Sequence, residues 1–463
     1  MTTAIISALL LAADVSTAAL DEAVKKFTAV LGAVEEHAAD GVEPNAALYG
    51  GAIPGMLRGL DPHSIFLDPD QFQQLKEMNN SERKGFGSIV SILPGRVFVL
   101  QTMPGTPSSR SGLSPGDEIV AVNGYPLMGL EPEQLVQLLS ESRRREAKIG
   151  VRRVSSPRIL EFTLIPENLA SPSVDRAFEI EPRIGYVRVS NFEIKTAKEL
   201  RDAIEKLGGA KLEGLILDLR NNPGGVVEAA LESAAMFLKP GQRILTARGR
   251  SKKEDSIDVP AGNVPYEFPV AALINEKTAS AAEIVASALQ DHKRAKIVGA
   301  RSFGKGLVQS VYNLSSNTGV ALTVAYYYSP LGRNLQRPLA NVRIETPSDA
   351  GGIAPDIAAG PEPMSRLRIA LDSSGAFPSF ATEALRKGAK SATGSVMDDF
   401  KIWLAERRIQ PGVAEWSADG AWIRSRLEQE MLNQTAGVEK GDEVELRRDP
   451  ACQRSLDALR QSR

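Results

Sequence analysis

Thr278-Ala279-Ser280-Ala281-Ala282-Glu283-Ile284 follows the apolar run Val270 to Ile274 and leads into Ile284, Val285, Ala288 and Leu289. The first run reads as a buried strand ending at Asn275, and the second set recurs at helical spacing. Ser280 therefore falls at a strand-to-helix junction, where the N–H groups of the first helical turn lack intrahelical partners. A hydroxyl there can attack a carbonyl, and the same amides can hold the oxyanion that forms. A plainer reading fits the same residues. Ser280 and Glu283, three apart, have the spacing of a capping box.

Working outward, Ile184 to Phe192 reads as a strand. Thr196 with Glu199 opens a helix to about Leu207, and Leu215-Ile216-Leu217-Asp218-Leu219 is a continuous apolar strand. It ends in Arg220-Asn221-Asn222-Pro223-Gly224-Gly225, and another helix follows. Strand, helix, strand, Gly-rich turn and helix in this order predict an α/β unit. Gly224-Gly225 lets backbone amides approach a ligand, or simply makes a tight turn. Downstream, Lys296 to Gly299 and Val320 to Tyr328 read as further strands.

Between those two strands lies Arg301-Ser302-Phe303-Gly304-Lys305-Gly306-Leu307-Val308-Gln309. Gly299, Gly304 and Lys305 match the start of a phosphate-binding loop. That motif needs Ser or Thr next and then a helix, whereas Gly306 and a strand-like run follow, so nucleotide binding is rejected. The plain reading of Lys305 is a solvated loop lysine. A serine nucleophile, however, needs a base, and no Gly-x-Ser-x-Gly elbow is present to support a Ser-His-Asp arrangement. A lysine can be that base where its surroundings favour the neutral form. Gln309 lies four residues on, so in a strand both side chains share a face about 13 Å apart. Contact between them requires the chain to curl at Gly306.

The chain has 463 residues, enough for two to four domains, with a formal net charge of −2. That balance gives no case for a nucleic-acid partner or a polybasic membrane anchor. The single cysteine, Cys452, excludes an intramolecular disulfide and a cysteine zinc site. His37, His63 and His292 are far apart, with no metal-ligand spacing around them.

Ala4 to Ala13 has the length of a signal-peptide core, and small residues follow at Ser16 to Ala19. No Lys or Arg precedes the run, so residues 1–20 fit either a signal peptide or the first helix of a folded domain. Residues 21–80 read as helical, with Val24, Phe27, Leu31 and Val34 on one stripe and a turn at Leu60-Asp61-Pro62-His63-Ser64. Residues 81–168 carry short alternating strands and one helix from Glu131 to Leu139. Residues 169–360 hold the α/β unit. In the tail, 361–463, helices from Met397 to Arg408 and from Ala421 to Gln434 carry apolar stripes suited to a core or a dimer interface.

Two resemblances follow from these motifs. Gly105-Thr106-Pro107 through Leu113-Ser114-Pro115-Gly116-Asp117 resembles a PDZ domain in the circularly permuted form of bacterial proteases. The loop Gly85-Phe86-Gly87 would then offer amides to a peptide carboxylate, and the next strand would pair with the peptide. The Ser280 stretch with Ala288-Leu289-Gln290-Asp291, Phe303-Gly304-Lys305-Gly306-x-x-Gln309, Asp218 to Gly225, Leu60 to Ser64 and Tyr327-Tyr328-Ser329-Pro330-x-Gly332-Arg333 resembles the carboxy-terminal processing, or tail-specific, protease family. The likeness runs over about residues 21–360, in the family's domain order.

That resemblance implies a ClpP/crotonase-like α/β protease core with an inserted PDZ domain and helical N- and C-terminal regions. It implies a serine endopeptidase in which Ser280 is the nucleophile, Lys305 the general base and Gln309 the residue orienting Lys305. The amides of Ala281 and of Gly224-Gly225 would form the oxyanion hole. Substrates would be proteins outside the cytoplasm, bound through their C-termini by a PDZ domain that also gates the site. No cofactor or metal is implied. A homodimer built partly from the helical ends, an adaptor protein, a place beside a membrane and a periplasmic or otherwise extracytoplasmic location all belong to the same expectation. The chain departs from the family pattern by an insertion at Arg337 to Ala350, ahead of Gly351-Gly352-Ile353-Ala354-Pro355-Asp356. Two other classes stand beside the protease. One is a catalytically silent PDZ scaffold, opposed by the intact set Ser280, Lys305 and Gln309. The other is an acyl-transfer or hydratase enzyme on the crotonase-like fold, opposed by the peptide-tail reader.

Overall fold

The computed structural model describes residues 17–73, 83–169, 172–250, 254–314, 317–338 and 351–462. Most of the expected leader (1–16) and most of the insertion (339–350) lie outside the described residues.

Helix α1, Thr17–His37, carries the expected apolar stripe, but Val24, Phe27 and Val34 are 55, 44 and 37 % exposed. Among the described residues nothing covers that face. A π-helical turn at Ala47–Ala52 leads into α2, Ile53–Arg58, and then strand β1, Ile65–Leu67. Between α2 and β1, Asp61 Oδ1 accepts the amides of His63 and Ser64, and its Oδ2 accepts Ser64 Oγ. These short-range bonds fold the Pro62 turn back on itself.

Strands β2, Arg83–Gly85, and β9, Glu167–Leu169, pair antiparallel at the entry to and exit from the next unit. Inside it are β3, Ser88–Leu93; β4, Arg96–Thr102; β5, Glu118–Val122; β6, Tyr125–Pro126; β7, Ala147–Arg152; and β8, Leu160–Leu164. The sheet runs β3-β4-β5-β7-β8, with β6 on β5. Helices α3, Pro107–Ser111, and α4, Pro132–Ser142, complete the unit. Ala147, Ile149 and Val151 alternate inward along β7 and pack with Val97, Val99 and Leu135.

The core sheet runs β10-β11-β12-β15-β16-β19: Val174–Glu181, Ile184–Val189, Gly214–Asp218, Val270–Ile274, Ala295–Gly299 and Ile357–Ala358. β10 is antiparallel to β11, and every later pairing is parallel. β12 and β15 are buried at every position, as continuous apolar runs require when both sheet faces are covered. Helices α5, Thr196–Lys206; α6, Val227–Ala235; and α7, Ala281–Asp291, cover one face. A second sheet, β1-β18-β13-β14 with β17 on β18, uses Arg243–Arg248 (β13), Asp255–Asp258 (β14), Leu307–Asn313 (β17) and Gly319–Tyr328 (β18).

The tail supplies α8, Arg366–Ser373; α9, Ala376–Arg386; α10, Gly394–Glu406; α11, Val413–Ala436; α12, Val438–Leu446; and α13, Pro450–Gln461. Phe377, Phe400, Trp403, Ile423 and Leu427 form its own core. α13 leaves that core and covers the second face of the core sheet, where Cys452, Leu456 and Leu459 meet Ile216, Ala271 and Leu273. The PDZ-like unit also touches the tail: Arg96 Nη1 donates to Ser374 O at 2.5 Å, and Val438 N to Gln101 Oε1 at 3.0 Å.

Candidate active site

Ser280 sits between β15 and α7 with φ 54° and ψ −118°. A non-glycine residue with positive φ is strained by about 1–3 kcal/mol, and the surroundings must hold it there. Thr278 Oγ1 donates to Leu219 O at 2.8 Å and accepts Asn275 N at 2.9 Å. Ala279 N donates to Asn222 O at 2.9 Å. The approach to Ser280 is thus woven into the turn after β12. Only the carboxylate half of the capping box holds. Glu283 N donates to the Ser280 carbonyl, and the Ser280 hydroxyl makes no cap hydrogen bond.

Glu283 does more than cap. It is fully buried, and its Oε2 accepts Ser280 N and Lys305 N, each at 2.8 Å. The two amide nitrogens are therefore no more than twice that distance apart. Oε1 accepts Gly304 N at 2.7 Å and Ser302 Oγ at 2.5 Å. Ser302 Oγ in turn accepts Ile353 N at 2.6 Å. Burial raises the Glu283 pKa above the ordinary glutamate value, and the bonds from Ser302, Lys305, Gly304 and Ser280 offset part of that rise. One carboxylate thus fastens the Ser280 junction to the Lys305 loop, and the loop to the segment beyond the insertion.

Lys305 lies between two glycines, Gly304 and Gly306, in a tightly packed loop. Gly304 has φ 89°, and a Cβ on Gly306 would lie 2.3 Å from Gln336 N. Lys305 is half-buried, and among the described residues its Nζ makes no hydrogen bond or ion pair. Gln309 is exposed, and its Nε2 donates to His63 O at 2.8 Å, not to Lys305. The ladder shifts register between Val308 and Gln309, which turns the side chain from the direction a straight strand would give it. His292 is occupied elsewhere, its Nε2 lying 2.7 Å from Arg243 O.

The two glycines after β12 differ. A Cβ on Gly224 would fall 2.8 Å from Ser280 Cβ and 2.9 Å from Ala281 N, so this turn lies directly against the serine. Gly224 N is taken by Asn222 Oδ1 at 2.8 Å. Among the described residues the amides of Gly225 and Ala281 have no hydrogen-bond acceptor. The pair of open donors is therefore Gly225 and Ala281, and Gly224 supplies the close approach.

In the PDZ-like unit a cavity of about 250 Å³ is lined by Gly85, Phe86 and Gly87 with Val90, Leu139 and Leu169. β3 borders it and, among the described residues, pairs only with β4, which leaves one edge of β3 without a strand partner there. No group of three or more His, Cys, Asp or Glu among the described residues has the arrangement of a metal site.

Comparison with known proteins accords with this geometry. Residues 183–359 match the sequence profile of peptidase family S41, and residues 74–152 that of the PDZ domain. A carboxyl-terminal-processing protease of Synechocystis sp. is 32 % identical over 292 residues, covering 62 % of this chain and 68 % of that one. The chain belongs to the carboxy-terminal-processing protease family. Its class is that of serine-type peptidases. The carboxy-terminal-processing protease of Bartonella bacilliformis is 34 % identical over 290 residues, with 62 % of this chain and 66 % of that one covered. The chain thus spans about two thirds of these relatives' length. A solved photosystem II D1 C-terminal processing protease is similar with TM-score 0.45 and 26 % identity, over 73 % of this chain and 92 % of that one. The PDZ domain and the peptidase core that the motifs implied are both matched in this family member.

Proposed function

We propose that this chain is a serine endopeptidase that captures protein substrates by their C-termini and cleaves them with a Ser280–Lys305 dyad. The observation that carries the reading is the Glu283 carboxylate, which accepts both the Ser280 and the Lys305 amides on one oxygen. Ser280 Oγ attacks the scissile carbonyl while Lys305 Nζ, in its neutral form, takes the hydroxyl proton. The carbonyl oxygen becomes an oxyanion and is held by the amides of Ala281 and Gly225. Lys305 then returns the proton to the leaving amine, and water hydrolyses the acyl-enzyme by the same route in reverse. The Gln309 amide is held through Nε2 by His63 O, which leaves its Oε1 as the acceptor available to orient Lys305.

The PDZ unit supplies the tail reader. Amides of the Gly85–Gly87 loop bind the terminal carboxylate, β3 takes the peptide as an added strand, and the apolar cavity takes the last side chain. Substrates and enzyme meet outside the cytoplasm. No helix among the described residues is long and apolar enough to cross a membrane. The bare stripe Leu20, Val24, Phe27 and Val34 on α1 supports a homodimer formed partly through the N-terminal helix.

The test is digestion of an unstructured protein by wild type and by Ser280→Ala, with mass spectrometry of the products. Internal cleavage by wild type and none by Ser280→Ala is the expected result. Because the hydroxyl makes no cap bond, Ser280→Ala melts within about 1 kcal/mol of wild type. Undiminished cleavage by the folded variant rules out the mechanism.

A further inference from the structure

The turn from Arg220 to Gly225 is rooted in a half-buried ionic cluster that reaches the far end of the chain. Asp218, 1 % exposed at the end of β12, accepts Tyr186 Oη and Arg220 Nη2, each at 2.7 Å. Its Oδ1 accepts Arg220 N at 2.9 Å. Arg220 Nη1 then donates to Asp449 Oδ2 at 2.5 Å. Asp449 is the N-cap of α13, and its Oδ1 accepts Cys452 N at 2.9 Å. One guanidinium thus spans a strand end of the core and the start of a helix 229 residues away in sequence. Burial opposes the Arg220 charge, and the carboxylates of Asp218 and Asp449 outweigh it, raising its pKa above the ordinary value.

The same arginine begins the turn that lies against Ser280. Downstream of it, Asn221 N donates to Asn275 Oδ1 at 2.9 Å, Asn222 Nδ2 to Val189 O at 2.8 Å, and Gly225 bridges to Phe192. Residues 220–224 form no helix or strand, so side-chain bonds of this kind set their path. The position of the Gly225 amide is fixed from both ends, and Arg220 is the upstream anchor.

We propose that Asp449 is a positioning residue for the oxyanion turn, acting through Arg220, which makes the last helix part of the catalytic unit. This rests on the reading of Gly225 and Ala281 as oxyanion donors. Asp449→Asn separates the two roles of the side chain. Asparagine caps a helix about as well as aspartate, but it replaces a charge-assisted bond to the guanidinium by a neutral one. Arg220 then keeps Asp218 only, and the turn loses its tie to α13. A displaced donor affects the transition state far more than substrate capture, because the oxyanion exists only there.

The experiment compares wild type, Asp449→Asn, Asp449→Glu and Ser280→Ala in cleavage of a peptide substrate, with melting temperature and tail-peptide affinity measured on the same samples. Asp449→Asn is expected to lower kcat about tenfold or more, with KM, melting temperature and peptide affinity close to wild type. Asp449→Glu, which restores the charge, recovers part of the loss. An unchanged kcat in Asp449→Asn overturns the proposal. So does a lowered kcat that comes with a lowered melting temperature or peptide affinity, because Asp449 would then be merely structural. Wild type that cleaves no better than Ser280→Ala refutes instead the protease reading on which the proposal stands.

Discussion

At the scale of single residues, Ser280 is strained and Glu283 holds the strain in place. Ser280 keeps a positive φ because its amide, like that of Lys305, ends on the Glu283 carboxylate. Only the ionised carboxylate accepts all four bonds. Once protonated, one oxygen carries a hydrogen that faces a donor. The consequence for pH has a definite sign. Burial raises the Glu283 pKa above its ordinary 4.5. The stability this group lends is therefore full below that ordinary value and is lost as pH rises through the raised one. Activity follows the opposite course and appears as the carboxylate ionises. In Glu283→Gln the expected kcat is lower by about tenfold or more, and the slope of the acid limb of log kcat against pH falls by about one. A Glu283→Gln protein with the wild-type rate and the wild-type acid limb would show that the clamp does not matter.

At the scale of elements, the local features were legible and the distant ones were not. β15 was expected at Val270 to Ile274 and occupies those residues, and α7 begins right after Ser280, because an apolar run and a helical period are local signals. The full role of Glu283 is not local. A capping rule sees the bond to Ser280, whereas Ser302, Gly304 and Lys305 lie 19 to 22 residues on. Sequence likewise offers both Gly224 and Gly225 as amide donors, and only the fold reveals that Asn222 occupies the first. The stripe on α1 has the pattern of a buried face, yet pattern does not say what covers it. Conversely, nothing in α13 announces that it covers the core sheet. That docking has a built-in reporter. Burial pushes the Cys452 thiol up to about 12, and the side chain is fully enclosed. A thiol reagent is expected to leave Cys452 unmodified in the native protein and to label it only when α13 lifts from the sheet. Rapid labelling under native conditions would contradict the packing of this helix.

At the scale of the whole molecule, a PDZ unit, a peptidase core and a helical tail are physically joined. The PDZ unit reaches the tail through Arg96 and Gln101, and the tail reaches the core through α13. Under the proposed function the terminal carboxylate is a recognition element and the scissile bond is left to the core. A substrate with an amidated C-terminus is therefore expected to bind more weakly and to be degraded more slowly than the free acid, since the loop amides lose a charged acceptor. Titration of both forms against the same protein measures this. Equal affinities and equal rates would mean that the Gly85–Gly87 loop does not read the carboxylate.

The dyad itself is tested most directly through Lys305. A guanidinium is a basic side chain of similar length that does not lose its proton in proteins, so Lys305→Arg cannot take the proton of Ser280. The measurement is the rate of substrate cleavage by wild type and by Lys305→Arg across about pH 6 to about pH 10. The expected result is a wild-type rate that rises with pH beside a folded Lys305→Arg protein with no turnover at any pH. Robust turnover by Lys305→Arg would contradict the assignment of Lys305 as the base of Ser280.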